Sequence, residues 1–197
     1  MKRSKITILL AIVLGMTFHS CLDLEPQDQL GGKNMWTSVN DYKQFANTFY
    51  SWTRDFSSVV YDGTHSDKRS DLITYQSYNE FSRGINSIPS SDANYTDNYK
   101  HIRRTNLLLQ NAEAYAKPED IKQYIGEAYF FRAYSYFDLL QLYGDVIITK
   151  KPLDITDPEM KVKRNDRSEV VDLIIDDLNH AVENLPAFKE LTTEEEG

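Results

Sequence analysis

A chain of 197 residues that is 41% hydrophobic and 26% charged has the composition of an ordinary globular protein, long enough to bury one sizeable core, which excludes disorder throughout. Its formal charge of -8 repels phosphate backbones and argues against nucleic acid as a partner; neutral ligands such as sugars, gripped by hydrogen bonds and ring stacking, are compatible with it. A single cysteine leaves no intrachain disulfide, and an unpaired cysteine in an exported chain needs its own explanation.

The first element in the chain supplies that explanation. Met1 to Lys5 is basic, Ile6 to Phe18 is an apolar run, and His19-Ser20-Cys21 follows, which is the n-region, h-region and cleavage zone of an export signal. The run falls short of the roughly 20 apolar residues that span a bilayer. A thiol at this point can be thioether-linked to diacylglycerol, and cleavage before Cys21 exposes an amine for a further acyl chain. At ~0.8 kcal/mol per buried methylene, two or three chains anchor stably. Phe18 departs from the pattern, since lipoprotein signals more often carry Leu three residues before the cysteine. A plain signal peptide with an incidental Cys21, or an uncleaved anchor, is the alternative. The expected organisation is a lipoprotein signal over 1–20, a tether over 21–36 and a helical domain over 37–197.

Leu22 to Gln29, followed by Gly31-Gly32, has acidic residues, a proline and no period, and reads as the tether. Thr37 to Trp52 then places Tyr42, Phe45, Ala46, Phe49 and Trp52 at helical spacing, predicting a first amphipathic helix. Arg54 to Tyr99 is dominated by Ser, Asp, Asn and Tyr and interrupted by Gly63, Gly84 and Pro89. Irregular segments of such length inside a domain are uncommon unless functional, so ligand contacts are expected here; the plainer reading is a surface loop region with a short helix near Asp71–Phe81.

Helical order is predicted to return near Asp97, with Tyr99, Ile102, Asn106, Leu109 and Ala112 in phase until Lys117-Pro118. Pro118 suits the first turn of the next helix, where its missing N–H costs nothing. Glu119 to Tyr143 carries the strongest helical pattern. Ile121, Ile125, Ala128, Arg132, Ser135, Leu139 and Leu142 make one stripe, and Tyr124, Phe131, Tyr134 and Phe137 a second, which predicts burial on more than one side. The small residues Gly126, Ala128 and Ala133 would let a neighbouring helix approach closely. Gly144 ends this helix, and Asp145 to Thr149 is a short extended run. A connector with Pro152 and Pro158 leads to a last helix, capped by Asp166 or Ser168, with Asp166-x-x-Glu169 at capping-box spacing; Val171, Ile174, Ile175, Leu178, Val182 and Leu185 are its predicted apolar face. The fold class is therefore all-α: antiparallel helix pairs with long irregular loops, which can stack in the tetratricopeptide manner, although only Ala133-x-x-x-Phe137 fits a fragment of that repeat and no fixed period recurs; the tetratricopeptide-like type is what the family resemblance described below implies.

Catalytic constellations are missing. Gly31-Gly32-Lys33 lacks the flanking residues of a phosphate cradle. His65, His101 and His180 stand outside any His-Glu-x-x-His spacing, so zinc has no ready ligand pair. Asp92-x-Asn94 opens like a calcium loop but lacks the glycine and glutamate that complete one. Among 30 acidic residues a glycosidase pair could always be nominated, so nomination carries no information. No metal or cofactor is expected. Aromatics, at 12% of residues, are a different matter, because pyranose C–H faces stack on flat rings while Asn, Asp and Arg bond the hydroxyls. Trp52, Tyr61, Tyr75, Tyr78, Arg83, Tyr95 and Asn98 have this mixed chemistry in or beside the irregular stretch and are the candidate ligand-binding residues. The competing reading is that each ring packs the core or a helix end.

Three segments carry a family resemblance: His101-Ile-Arg-Arg-Thr-Asn-Leu-Leu-Leu-Gln-Asn111; Ile125-Gly-Glu-Ala-Tyr-Phe-Phe-Arg-Ala-Tyr-Ser-Tyr-Phe-Asp-Leu-Leu-Gln-Leu-Tyr-Gly-Asp145; and Arg167-Ser-Glu-Val-Val through Leu185-Pro186. Together with the Cys21-Leu-Asp-Leu-Glu-Pro start they resemble the N-terminal region of the SusD/RagB family of Bacteroidota lipoproteins. The resemblance implies exposure at the outer membrane, partnership with a SusC-like TonB-dependent transporter, and capture of oligosaccharides or other nutrients without chemistry. Family members usually run to several hundred residues, so the chain is expected to represent a truncated N-terminal part. A helical lipoprotein scaffold that binds only protein, and a surface glycosidase, are the alternatives.

Overall fold

The computed structural model describes residues 35–54, 84–85, 87–153 and 156–187, and the elements below lie in one contact unit, Trp36–Gly197. They are α1 (Val39–Asn47), running into a 3-10 turn (Thr48–Trp52); α2 (Ala93–Glu113); a 3-10 turn (Pro118–Ile121) leading into α3 (Lys122–Tyr143); a 3-10 turn (Pro158–Lys161); and α4 (Arg167–Asn184). Among the described residues the extended pairing is one isolated antiparallel bridge, Val146 with Asn165. The expected all-α fold of tetratricopeptide-like type is the one observed, with α3 at its centre packed against both α2 and α4.

Local chemistry explains the boundaries. Ser38 caps α1: its hydroxyl accepts the Asp41 N–H (3.4 Å) while Asp41 Oδ2 accepts the Ser38 N–H (2.8 Å), a reciprocal box that satisfies two free donors of the first turn. Tyr42, Phe45, Ala46 and Phe49 are all buried, as their spacing predicted. The run does not stay α-helical to Trp52, because the chain tightens at Thr48, whose hydroxyl donates to the Phe45 carbonyl (2.6 Å). Helix α2 starts a turn earlier than the sequence suggested. Asp92, whose spacing to Asn94 invited the calcium comparison, is its N-cap, with Oδ1 accepting the Asn94 N–H at 2.9 Å. Pro118 takes the first-turn position expected of it.

Helix α3 is buried on several sides, with Phe131, Ala133, Tyr136 and Leu139 accompanied by Glu127, Arg132, Ser135 and Asp138. Phe137, read as part of its second stripe, instead faces outward and is 45% exposed. Gly126 provides the close approach its size predicted: a Cβ there would lie 3.0 Å from both Leu185 Cγ and the Leu185 backbone N. Glycine in a helix interior normally costs roughly 0.5–1 kcal/mol relative to alanine. Here Gly126→Ala is expected to reverse that sign and lower the free energy of unfolding by about 1 kcal/mol or more, and with it the denaturant midpoint, since overpacking against backbone costs ~1–3 kcal/mol. A raised midpoint would show that the end of α4 yields freely.

Of the two capping candidates for α4, Asp166 is the cap, and its N–H reaches Glu169 Oε2 at 3.3 Å. The predicted face of α4 is corrected. Val170, Leu173, Ile174, Asp177 and Ala181 are the buried residues, whereas Val171, Ile175, Leu178 and Val182 are exposed. What rotates the helix is Asp177, fully buried beneath Arg132. Arg132 Nε and Nη2 reach the two Asp177 oxygens at 2.7 and 2.6 Å, and Nη1 donates to Asn106 Oδ1 at 2.8 Å. Burial works against the Arg132 charge, but the hydrogen-bonded Asp177 carboxylate outweighs it and holds the guanidinium above its ordinary pKa. One charged pair thus joins α2, α3 and α4.

After Gly144, at φ 71°, the chain runs extended and is held by side chains. The Tyr99 hydroxyl donates to the Ile147 carbonyl (2.8 Å) and accepts the Ile147 N–H (2.9 Å), and the Tyr136 hydroxyl treats Thr149 the same way (3.2 and 2.8 Å).

Candidate functional site

The irregular stretch that the sequence singles out leaves the described fold at Arg54 and rejoins it before α2. Both of its ends are fixed on the second half of α3. Arg54 pairs with Asp138 and lies over the Tyr134 ring, 5.7 Å from its centre. On the returning side Asp92 Oδ2 accepts the Tyr143 hydroxyl at 2.6 Å, a bond that holds the Asp92 carboxyl below its ordinary pKa. Of the candidate residues, Tyr61, Tyr75, Tyr78 and Arg83 lie outside the described residues, as do Cys21 and the proposed helix near Asp71–Phe81.

Trp52, Tyr95 and Asn98 are described, and they do not form one cluster. The Trp52 indole is half-buried beside the start of the stretch; it stacks on His101 of α2 (4.1 Å, 13° between planes) and leans on Phe49 (4.6 Å) and Phe131 (5.8 Å). Burial lowers the His101 pKa below its ordinary value. Tyr95 belongs to a separate ring group at the start of α2, 4.8 Å from Tyr99 and 5.2 Å from Tyr143. Asn98 lies three residues further along the same helix, is buried, and donates to the Asn94 carbonyl at 2.9 Å.

Near Trp52 the α1 end meets two polar groups from the core. Arg104 of α2 donates to the Thr48 hydroxyl (2.8 Å) and stands over the Phe45 ring, 4.9 Å from its centre. Glu127 of α3 is only 4% exposed; Oε1 accepts from Gln123 at 2.9 Å, while Oε2, beside the Tyr50 hydroxyl, has no well-formed hydrogen bond among the described residues. Burial raises the Glu127 carboxyl above its usual 4.5, against the lowering effect of Gln123 and Tyr50. A carboxyl raised in the folded state binds its proton more tightly there than in the unfolded chain. Its stabilising effect is therefore complete below about pH 4.5 and is lost as pH rises through the folded value. Glu127→Gln is expected to remove that slope and leave stability at pH 7 equal or higher; urea melts between pH 4 and 8 that retain the wild-type slope would refute this.

The sequence reading also passed over Trp36. It sits at the end of the expected tether, with a backbone φ of 79°, and packs on Tyr42 (5.0 Å) and Phe45 (4.7 Å). With Thr37, Asn111, Ala114, Tyr115 and Ala116 it lines an open cavity of about 420 Å³. Tyr42, at the side of this aromatic group, is pushed up to about 12 by burial, with smaller contributions from Tyr115 and Asp41. The only cue in the sequence was a tryptophan two residues before a helix cap. Among the described residues no three His, Cys, Asp or Glu side chains gather as a metal site would require, and no described helix is long and apolar enough to cross a membrane.

Comparison with known proteins accounts for nearly the whole chain. Residues 22–194 match the SusD-like family described as starch-binding and associating with the outer membrane. Two SusD-like proteins of Formosa agariphila are 28% and 27% identical across 93% and 94% of the chain, which spans only 38% and 39% of their own lengths. A crystal structure of a SusD-like protein from Bacteroides fragilis superposes with a TM-score of 0.65 at 26% identity, covering 87% of this chain and 34% of that one. A laminarin-binding SusD-like protein gives a TM-score of 0.50 at 29% identity, covering 60% of this chain and 25% of that one.

Proposed function

The chain belongs to the SusD-like family, and from that premise we propose that it is part of an outer-membrane lipoprotein that captures oligosaccharides or other nutrients and delivers them to a SusC-like TonB-dependent transporter. The family match over residues 22–194 carries the reading, because that family is described by starch binding and outer-membrane association. In this reading residues 1–20 are the leader, acyl chains on Cys21 hold the protein to the outer membrane facing the cell exterior, 21–36 is the tether and 37–197 the helical domain. The protein binds without chemistry and needs no cofactor.

Trp52 and Tyr95 offer flat rings beside the ends of the irregular stretch, and Tyr61, Tyr75, Tyr78 and Arg83 complete the set with hydroxyl and guanidinium groups, whereas Asn98 is buried with its amide spent on the Asn94 carbonyl. Stacking on such rings tolerates many sugars, and loop residues supply discrimination. Native affinity electrophoresis in gels containing laminarin or starch tests the reading. Retardation by at least one glucan is expected, weakened about tenfold in Trp52→Ala, which corresponds to ~1.4 kcal/mol. Unretarded migration with a broad panel of glycans, together with stable capture of a protein partner, would favour a scaffold instead. Loss of palmitate labelling in Cys21→Ala tests the anchor separately.

A further inference from the structure

Trp36 enters the fold in a conformation that a bulky side chain seldom adopts. Its φ of 79° lies in the left-handed region, where a residue with a Cβ is strained and where ligand-clamping residues are over-represented. The indole packs on Tyr42 and Phe45, with ring centroids 5.0 and 4.7 Å away, yet it stays only half-buried and lines the open cavity of about 420 Å³. Tyr115, also half-buried and 5.1 Å from Tyr42, supplies a second ring, and the short side chains of Ala114 and Ala116 leave the space unfilled. The volume is within the range of roughly 300–1,000 Å³ typical of small-molecule sites. Two acceptors complete the lining. Asn111 Nδ2 is committed to the Leu107 carbonyl at 2.7 Å, so Oδ1 is the group it can offer a ligand; the Thr37 hydroxyl gives its proton to Asp41 Oδ2 at 3.2 Å and keeps its oxygen as an acceptor. Among the described residues no Lys, Arg, Asp or Glu lines this cavity.

We propose that this cavity is a second carbohydrate site, separate from the one at Trp52, and that it takes a neutral pyranose. The two rings answer the apolar C–H faces of such a sugar, and the two acceptors answer its hydroxyl protons. A carboxylated or sulfated sugar would lose water around its charge here and find no cation in exchange. The proposal rests on the glycan-binding reading and adds a place to it. Trp36 and Trp52 stand at the two ends of one aromatic row, in which Trp36, Phe45, Phe49 and Trp52 follow one another at 4.7, 5.6 and 4.6 Å. The α1 segment thus carries a partly uncovered indole at each end, one at the cavity and one at the start of the irregular stretch.

The chain has two tryptophans, so Trp52→Phe makes Trp36 the sole one and Trp36→Phe does the same for Trp52. Both variants of the full 197-residue chain, in mild detergent, are titrated with hexamers of α-linked and β-linked glucose and with a galacturonate hexamer, and tryptophan emission is followed. In Trp52→Phe, at least one glucose hexamer is expected to shift Trp36 emission to shorter wavelength and to saturate, with at least tenfold weaker response to galacturonate. Adding Ala116→Phe, which fills the cavity from an exposed position and leaves the circular dichroism spectrum unchanged, should weaken that response at least tenfold. Trp36 emission that ignores both glucose hexamers while Trp52 emission responds in the other variant overturns the second site and leaves the glycan-binding reading standing. Silence of both tryptophans overturns the two together. A Trp36 response that survives Ala116→Phe, or that galacturonate matches, also overturns the proposal.

Discussion

Arg132→Met is expected to lower the free energy of unfolding by about 3–5 kcal/mol, because it strands a buried carboxylate with no counter-ion. Arg132 is 5% exposed and Asp177 0%, and the guanidinium supplies two hydrogen bonds to that carboxylate and a third to Asn106. Losing the cation leaves Asp177 without its charge partner in a place water does not reach, and leaves the Asn106 oxygen unpaired as well. Asn106 in turn holds the extended run through its amide, which donates to the Thr149 carbonyl at 3.0 Å. The defect should therefore be felt in α2, α3, α4 and the connecting chain together. Arg132→Met combined with Asp177→Leu should recover most of the loss, since exchanging a buried pair for apolar groups is often neutral. Urea denaturation of the two single variants and the double variant measures the coupling; a single-variant loss below ~1 kcal/mol would mean that solvent reaches Asp177 after all.

Phe49→Ala should cost about 3–5 kcal/mol by the ordinary logic of emptying a core position. Phe49 is fully buried, and its ring lies 5.6 Å from Phe45, 4.6 Å from Trp52 and 5.7 Å from Phe131. The change removes the hub by which α1 and its 3-10 extension hold to α3. It also removes one of the rings that fix Trp52, so the tryptophan emission should shift to longer wavelength and glucan retardation should fall with it. Phe49→Leu, which keeps most of the volume, is expected to retain the larger part of both. A Phe49→Ala variant with wild-type melting and emission would show that the aromatic group is not a packed unit.

Most of this architecture was legible because its signals are local. The spacing of Tyr42, Phe45 and Phe49, the position of Pro118, the stop at Gly144 and the Asp166–Glu169 box each act within a turn or two of chain, and each appears where its physics puts it. The orientation of α4 was not legible, for a specific reason. Val170-Val171 and Ile174-Ile175 are adjacent apolar pairs, so two stripes fit the helical period equally well. The true face contains Asp177, which any polarity count assigns to solvent; only its bond to Arg132, 45 residues earlier, makes that face the inner one. The start of α2 was missed for a related reason, since an aspartate that caps and an aspartate that ligates look alike until the backbone around them is known. Trp52 was recognisable as an aromatic beside an irregular stretch, but its stack on His101 joins parts of the chain 49 residues apart and leaves no mark on either local pattern.

The tyrosines that grip Ile147 and Thr149 have a bearing on solubility. A lone extended segment ordinarily presents a row of unfilled amide and carbonyl valences that a stray strand can zip onto. Here one phenol fills both valences of Ile147 and another both valences of Thr149, so these rungs are closed to an incoming chain. Phenylalanine at either position would keep the packing and reopen them, turning a quiet connector into a template for aggregation.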